Sequence, residues 1–170
     1  MVIILGADHG GYHLKEDLVK YFESQSIPFL DFSAPELDPK DDYPPIAFRV
    51  GEEVVKKNAK GILICGSGIG ISIAANKVRG VRAAPLKSVT EVILARLHND
   101  LNILCFNGLE FEKEAEEALL KGNYQNLLSL KPRKRTGHEV IPLVEAFLNT
   151  PFEGGRHQKR VSYIENYEKS

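Results

Sequence analysis

Strand-length apolar runs alternate with longer amphipathic stretches over the first 106 residues, and this alternation is the tightest constraint on the fold. The runs at 2–5, 28–32, 61–65, 81–86 and 102–106 read as strands. Between them, residues 13–25 carry Leu14, Leu18, Tyr21 and Phe22 at helical spacing. Residues 44–58 open with prolines and place Ile46, Val50 and Val54 on one face. Residues 69–78 form a helix begun by glycines, and 88–97 a helix capped by Ser88 or Thr90. The proline- and acid-rich stretch 34–43 is a loop. A strand–helix repeat of this kind predicts a three-layer α/β/α, Rossmann-like fold with a five-stranded parallel sheet and right-handed crossovers. In such sheets ligands bind beyond the carboxyl ends of the strands. That rule selects Asp8 and His9, residues 65–70, residues 86–88 and Asn107.

The last third is less regular. Residues 110–120 read as an acidic helix, 122–130 as polar and ambiguous, and 131–135 as a basic run. Helices follow at 141–148 and 157–169, separated by a turn at 150–155. The expected organisation is one α/β domain over 1–150, interrupted at about 107–137, and a C-terminal turn and helix over 151–170.

With 43% hydrophobic and 26% charged residues, the chain has the profile of a globular protein. A net charge of −1 supplies no global field for nucleic acid or an anionic membrane, so neither is expected as a partner. The apolar start, residues 1–6, is too short for a secretory leader, and no stretch reaches the roughly 20 apolar residues of a membrane span. Cys65 and Cys105 each end an apolar run and lack zinc-ligand neighbours, so free thiols and a cytoplasmic location are expected.

Four constellations can carry chemistry. The first is Cys65-Gly66-Ser67-Gly68-Ile69-Gly70, a strand running through a glycine-rich turn into a helix. Glycines let backbone approach a ligand, and free amides at a helix start favour an anion. The spacing does not fit the dinucleotide fingerprint, because Ile71 stands where its third glycine would fall, and there is no P-loop lysine. Cys65 reads either as a thiolate stabilised at the helix start or as a buried strand-end thiol. The second is Asp8-His9 between Gly6 and Gly10, suited to hydroxyl and phosphate recognition or simply to a helix cap. The third is His98-Asn99-Asp100: His98 is a proton shuttle or only a favourable charge at a helix C-terminus. In the fourth, Arg156 and Arg160 share a helical face, so they grip a phosphate or decorate a solvated surface.

Taken together and in this order, these pieces resemble the ribose-5-phosphate isomerase B family of sugar-phosphate isomerases. The resemblance runs through Asp8-His9, Asp42-Tyr43-Pro44, the block from Gly61 to Lys77, His98-Asn99-Asp100, and the stretch from Glu153 to Arg160. It covers residues 1–106 and about 138–168. It implies a cytoplasmic aldose–ketose isomerase that interconverts ribose 5-phosphate and ribulose 5-phosphate through an enediolate. His98, assisted by Asp8, would open the sugar ring. Cys65 would be the base, the amides around Gly66, Gly68 and Gly70 would hold the enediolate, and Ser67 would pass the proton between oxygens. Asn99 would bind hydroxyls, and His9, Arg156 and Arg160 the phosphate. No metal or organic cofactor is implied. The C-terminal arginines would reach a neighbouring subunit's site, implying a homodimer, with pairing into tetramers left open. Members that use a glutamate base carry it downstream of the glycine turn; here that helix reads Ile71-Ser72-Ile73-Ala74, so the chain resembles the cysteine subtype.

The resemblance lapses over 107–137. Where the family usually has Phe-Gly-x-Arg, this chain has Phe106-Asn107-Gly108-Leu109, followed by an extra stretch. Either Arg133 or Arg135 replaces the missing arginine, or the basic run is a solvated loop. The altered region also keeps a six-carbon substrate open (allose 6-phosphate or galactose 6-phosphate), as well as a non-catalytic sugar-phosphate-binding module.

Overall fold

The computed structural model describes residues 2–110, 117 and 131–169. Strand β1 (Ile3–Ala7) leads to α1 (Tyr12–Ser24), then β2 (Phe29–Asp31), α2 (Tyr43–Lys57), β3 (Lys60–Cys65) and α3 (Ile69–Ala75). After these come β4 (Ala83–Pro85), α4 (Val89–Asn99) and β5 (Ile103–Asn107). A short ribbon, β6 (Leu109–Glu110) with β7 (Arg133–Lys134), precedes α5 (Gly137–Asn149) and α6 (Arg156–Tyr167).

The five long strands form the expected parallel sheet, in the order β2-β1-β3-β5-β4. Alternate strand side chains serve opposite faces. Ile3, Leu5, Ile62, Ile64, Leu104 and Phe106 pack against Leu14 and Leu18 of α1, Val92 of α4, and Val140 and Phe147 of α5. Ile4, Leu63, Cys65, Ile103 and Cys105 pack against Ala47 and Val50 of α2 and Ile71 and Ala75 of α3. The loops after β1 and β3 therefore leave adjacent strands for opposite faces. That is the switch point at which such sheets open a crevice.

Several boundaries differ from expectation, each for a local reason. Helix α3 stops at Ala75 because the Asn76 amide donates to Ser72 O at 2.9 Å and to Ala83 O at 2.8 Å. Its own oxygen accepts from Ala83 N, pinning the helix end to β4, which is correspondingly short. Ser88, not Thr90, caps α4: its Oγ accepts from Glu91 N and Glu91 accepts from Ser88 N, a reciprocal box. Helix α5 starts at Gly137 rather than 141, since Glu139 accepts from both the amide and the hydroxyl of Thr136. The expected helix over 110–120 lies almost wholly outside the described residues, as does the segment 122–130; Glu110 itself belongs to β6. No helix among the described residues is long and apolar enough to cross a membrane.

Candidate active site

Three loops meet at the carboxyl end of the sheet. Asp8 N donates to Ile64 O at 3.2 Å, joining the end of β1 to β3. Gly108 N donates to Cys65 O at 2.8 Å and Leu109 N to Gly66 O at 3.1 Å, folding the end of β5 back over the β3 loop. The contacts leave no room for side chains. A Cβ on Gly10 would lie 2.7 Å from Gly66 N, and one on Gly108 would lie 2.2 Å from Gly10 O.

Cys65 ends β3 and is 4% exposed. Gly68 has φ +75°, a conformation that costs other residues strain, and this turns its amide back to donate to Cys65 Sγ at 3.2 Å. That contact fixes the sulfur at the head of the glycine turn. Ser67 is exposed, its Oγ accepting from Ile69 N at 3.3 Å. Gly70 admits the Tyr43 ring, which a Cβ there would meet at 2.7 Å.

Asp8 is 5% exposed and its Oδ1 accepts from Gly11 N at 3.1 Å. Burial raises its carboxyl above the usual range, only partly opposed by that hydrogen bond. His9 sits on the rim, with both its backbone amide and its Nδ1 on Asp41 Oδ1, at 2.8 and 2.7 Å. The hydrogen bond to the Asp41 carboxylate raises the imidazole above its ordinary value, favouring the cation. Asp41 was not legible as the partner of His9: one acid among several in a loop carries no pattern, and only the fold brings the two together.

The basic run resolves into two different residues. Arg135 donates through its backbone N to Gly108 O at 2.9 Å and through Nη1 to Asn107 Oδ1 at 2.7 Å. The β6–β7 ribbon thus delivers its guanidinium beside the end of β5, where Leu109 supplies only a Cδ1 lying 3.6 Å from the Cβ direction of Gly66. Arg133 is turned away: it pairs with Glu110 and binds both oxygens of Glu139 at 2.8 and 3.0 Å, at the start of α5. Of the two arginines expected to replace the missing one, Arg133 thus has its guanidinium engaged by carboxylates and Arg135 has its guanidinium at the strand end.

The remaining expected residues lie elsewhere. Helix α4 leaves the carboxyl end of β4 and runs back about 16 Å toward the amino end of β5. His98 and Asn99 occupy its last turn. One turn region away, Arg96 donates to Leu101 O and Thr150 O, and Lys60 at the start of β3 donates to Phe147 O. His98 therefore sits at the opposite end of the sheet from Cys65. There its ring stacks on His157, centroids 4.2 Å apart and planes within 7°. Arg156 and Arg160 are exposed on the adjoining α6. One chain thus places Asp8, His9, Cys65 to Gly70 and Arg135 at one end of the sheet, and His98, Asn99, Arg156 and Arg160 at the other. The C-terminal arginines were expected to act at a neighbouring subunit's site; the direction of α4 sets His98 and Asn99 at their end of the sheet as well.

A family model described as Ribose/Galactose Isomerase matches residues 3–164. The chain belongs to the ribose/galactose isomerase family. Among its relatives, the ribose-5-phosphate isomerase B of Mycobacterium tuberculosis is 32% identical over 172 residues, covering 100% of this chain and 91% of that protein. A Mycoplasma pneumoniae protein named probable ribose-5-phosphate isomerase B is 38% identical over 168 residues, covering 98% and 95%. Among solved structures, the Mycoplasma genitalium ribose-5-phosphate isomerase B with bound ribulose-5-phosphate is 35% identical, with TM-score 0.79 and coverage of 99% and 97%. The Clostridium thermocellum ribose-5-phosphate isomerase B has 34% identity, TM-score 0.78 and coverage of 99% and 98%.

Two other features of this isomerase-family chain could hold a ligand. His98, Glu153 and His157 each place a donor atom within 4.8 Å of the others. Their rings are nearly parallel, so no single ion lies in both ring planes, and Arg156 Nε already donates to His157 Nε2 at 3.2 Å. That donor set does not fit a metal as arranged. A cavity of about 350 Å³ opens near Lys60, Arg82, Arg96 and Asp100. Its arginines already pair with Asp100 at 2.8 Å, and Lys60 with carbonyls of α5.

Proposed function

We propose that this chain is a cytoplasmic aldose–ketose isomerase interconverting ribose 5-phosphate and ribulose 5-phosphate. It works as a homodimer in which the carboxyl end of one sheet faces the amino end of the other. The single observation that carries this reading is the Cys65 Sγ held by the Gly68 amide at 3.2 Å, beside Asp8 and Ser67. The Mycoplasma genitalium structure with bound ribulose-5-phosphate gives the substrate class its support. The splitting of the family's residues into two half-sites supports the pairing, as do Ile69 and Ile73, each 57% exposed beside the cysteine turn.

In the proposed mechanism, His98 of a second copy and Asp8 open the furanose, one taking and one giving a proton. The Cys65 thiolate then removes the proton from C2 of the aldose. Its electron pair forms the C1–C2 double bond of an enediolate, and the charge on oxygen meets the amides of residues 66–70. Ser67 passes a proton between the two oxygens, Cys65 returns its proton to C1, and the C2 carbonyl of the ketose forms. Asn99 of the second copy holds hydroxyls. His9 and Arg135 of one copy and Arg156 and Arg160 of the other bind the phosphate. Every proton moves between side chain and substrate, so the route requires no metal or organic cofactor.

Turnover of ribose 5-phosphate by the wild type, with loss of roughly a hundredfold or more in kcat for Cys65→Ala, is the expected result. Equal rates in both would refute the base. Leu109, an apolar side chain near Gly66, favours a second reading, a roomier pocket for a six-carbon sugar phosphate. A panel of five- and six-carbon sugar phosphates separates the two, and no turnover of any would point to a binding module.

A further inference from the structure

We infer that His157 is a positioning residue that aligns the ring-opening histidine and a phosphate-binding arginine at once, through the face of its ring and through its Nε2. This rests on the function proposed above. Gly154 and Gly155, with φ of +70° and +54°, turn the chain sharply into α6. That turn sends residue 157 inward, 1% exposed, while Arg156 and Arg160 on either side stay at the surface.

Two contacts leave the buried ring. Its face lies against His98, with planes within 7°. Its Nε2 accepts from Arg156 Nε at 3.2 Å. A guanidinium has only donors, so this contact requires a lone pair on Nε2 and places the ring's proton on Nδ1. Nδ1 is itself buried with no hydrogen-bond partner among the described residues, so the ring tolerates this arrangement at a desolvation cost that the two contacts must repay.

The charged and titratable groups around the ring are His98 from α4, Glu153 from the preceding turn, and Arg156 and Arg160 from α6. Burial, His98 and the two arginines hold the imidazole below its ordinary value, while Glu153, 3.7 Å from Nε2, opposes them. Protonating the ring would set a donor against the Arg156 donor and a cation against three neighbours that are basic. A neutral His157 therefore keeps Arg156 aimed outward and the His98 ring flat against it.

Two substitutions separate the contacts. His157→Phe keeps a flat buried ring and loses the acceptor; KM for ribose 5-phosphate should rise about tenfold with kcat near wild type. His157→Gln keeps an acceptor near the Nε2 position and loses the ring face; kcat should fall about tenfold with KM nearly unchanged. Wild-type constants in both variants, or the same proportional loss in both, would overturn the inference. Nitrogen-15 imidazole spectra of the wild-type protein give an answer that needs neither variant. They should show His157 protonated only at Nδ1 at pH 7 to 8, and an Nε2–H tautomer or an imidazolium there would overturn it. A wild type without isomerase activity would instead refute the function, leaving the spectra to judge the Arg156 contact by itself.

Discussion

His9 and Asp41 illustrate how a side chain acquires its working charge from a partner far away in sequence. The carboxylate raises the imidazole, so the histidine stays cationic to higher pH than a free one would. On the proposed reading, phosphate affinity is full below that raised value and declines as pH climbs through it. Asp41→Asn should move the rise in KM to lower pH, which a KM–pH profile would reveal; an unshifted profile would exclude His9 as a phosphate ligand. The two arginines of the basic run make a paired prediction. Arg135→Ala should raise KM for the sugar phosphate roughly tenfold, because its guanidinium sits at the strand ends. Arg133→Ala should leave KM unchanged, because that charge serves Glu110 and Glu139. At this scale the sequence revealed the residue types with chemistry, such as Asp8, Cys65 and His98, since each stood in a recognisable string. It concealed the parts proposed for Asp41 and His157, since these rest on what the fold sets beside them.

Among elements, the strand-to-helix turns were readable and the irregular connections were not. Period and punctuation located every long strand to within a few residues, because sheet burial imposes both. The β6–β7 ribbon was missed: two-residue strands carry no periodicity, and their pairing joins residues 109–110 to 133–134 across the chain's least patterned stretch. The glycine loops define the tightest constraint among elements. Gly108→Ala would force the β1 and β5 loops apart, since its Cβ would fall 2.2 Å from Gly10 O. A loss of about 1–3 kcal/mol in stability is expected by denaturant titration, with a larger proportional loss of activity. Helix α5 offers a pH-dependent counterpart. Lys60, held at about 8 chiefly by burial and then by Arg96, donates to the Phe147 and Leu148 carbonyls at its end. A lysine whose folded value lies below its unfolded one binds fewer protons when folded between those values, so stability grows as pH rises from about 8. Relative to Lys60→Met, the wild type should gain stability between pH 8 and 10 by chemical denaturation.

For the molecule as a whole, fold class followed from the strand–helix alternation, and even the switch-point loops were where the rule for parallel sheets puts them. What the one-dimensional string could not convey was direction. His98 and Cys65 looked like members of one cluster until the return path of α4 put them at opposite ends of the sheet. The resulting prediction is complementation. Cys65→Ala chains and chains carrying both Arg156→Ala and Arg160→Ala should each be inactive. Mixed and allowed to exchange, half the dimers would be hybrids with one intact site, restoring roughly a quarter of wild-type activity. No recovery on mixing would place each site within one chain.

On the proposed pairing, the two-ended arrangement would also tie catalysis to gene dosage. Below the dissociation constant of the proposed pair, the number of working sites would scale with the square of the chain concentration. A cell that halves its synthesis of this protein would then lose about three quarters of the isomerase, with every chain correctly folded.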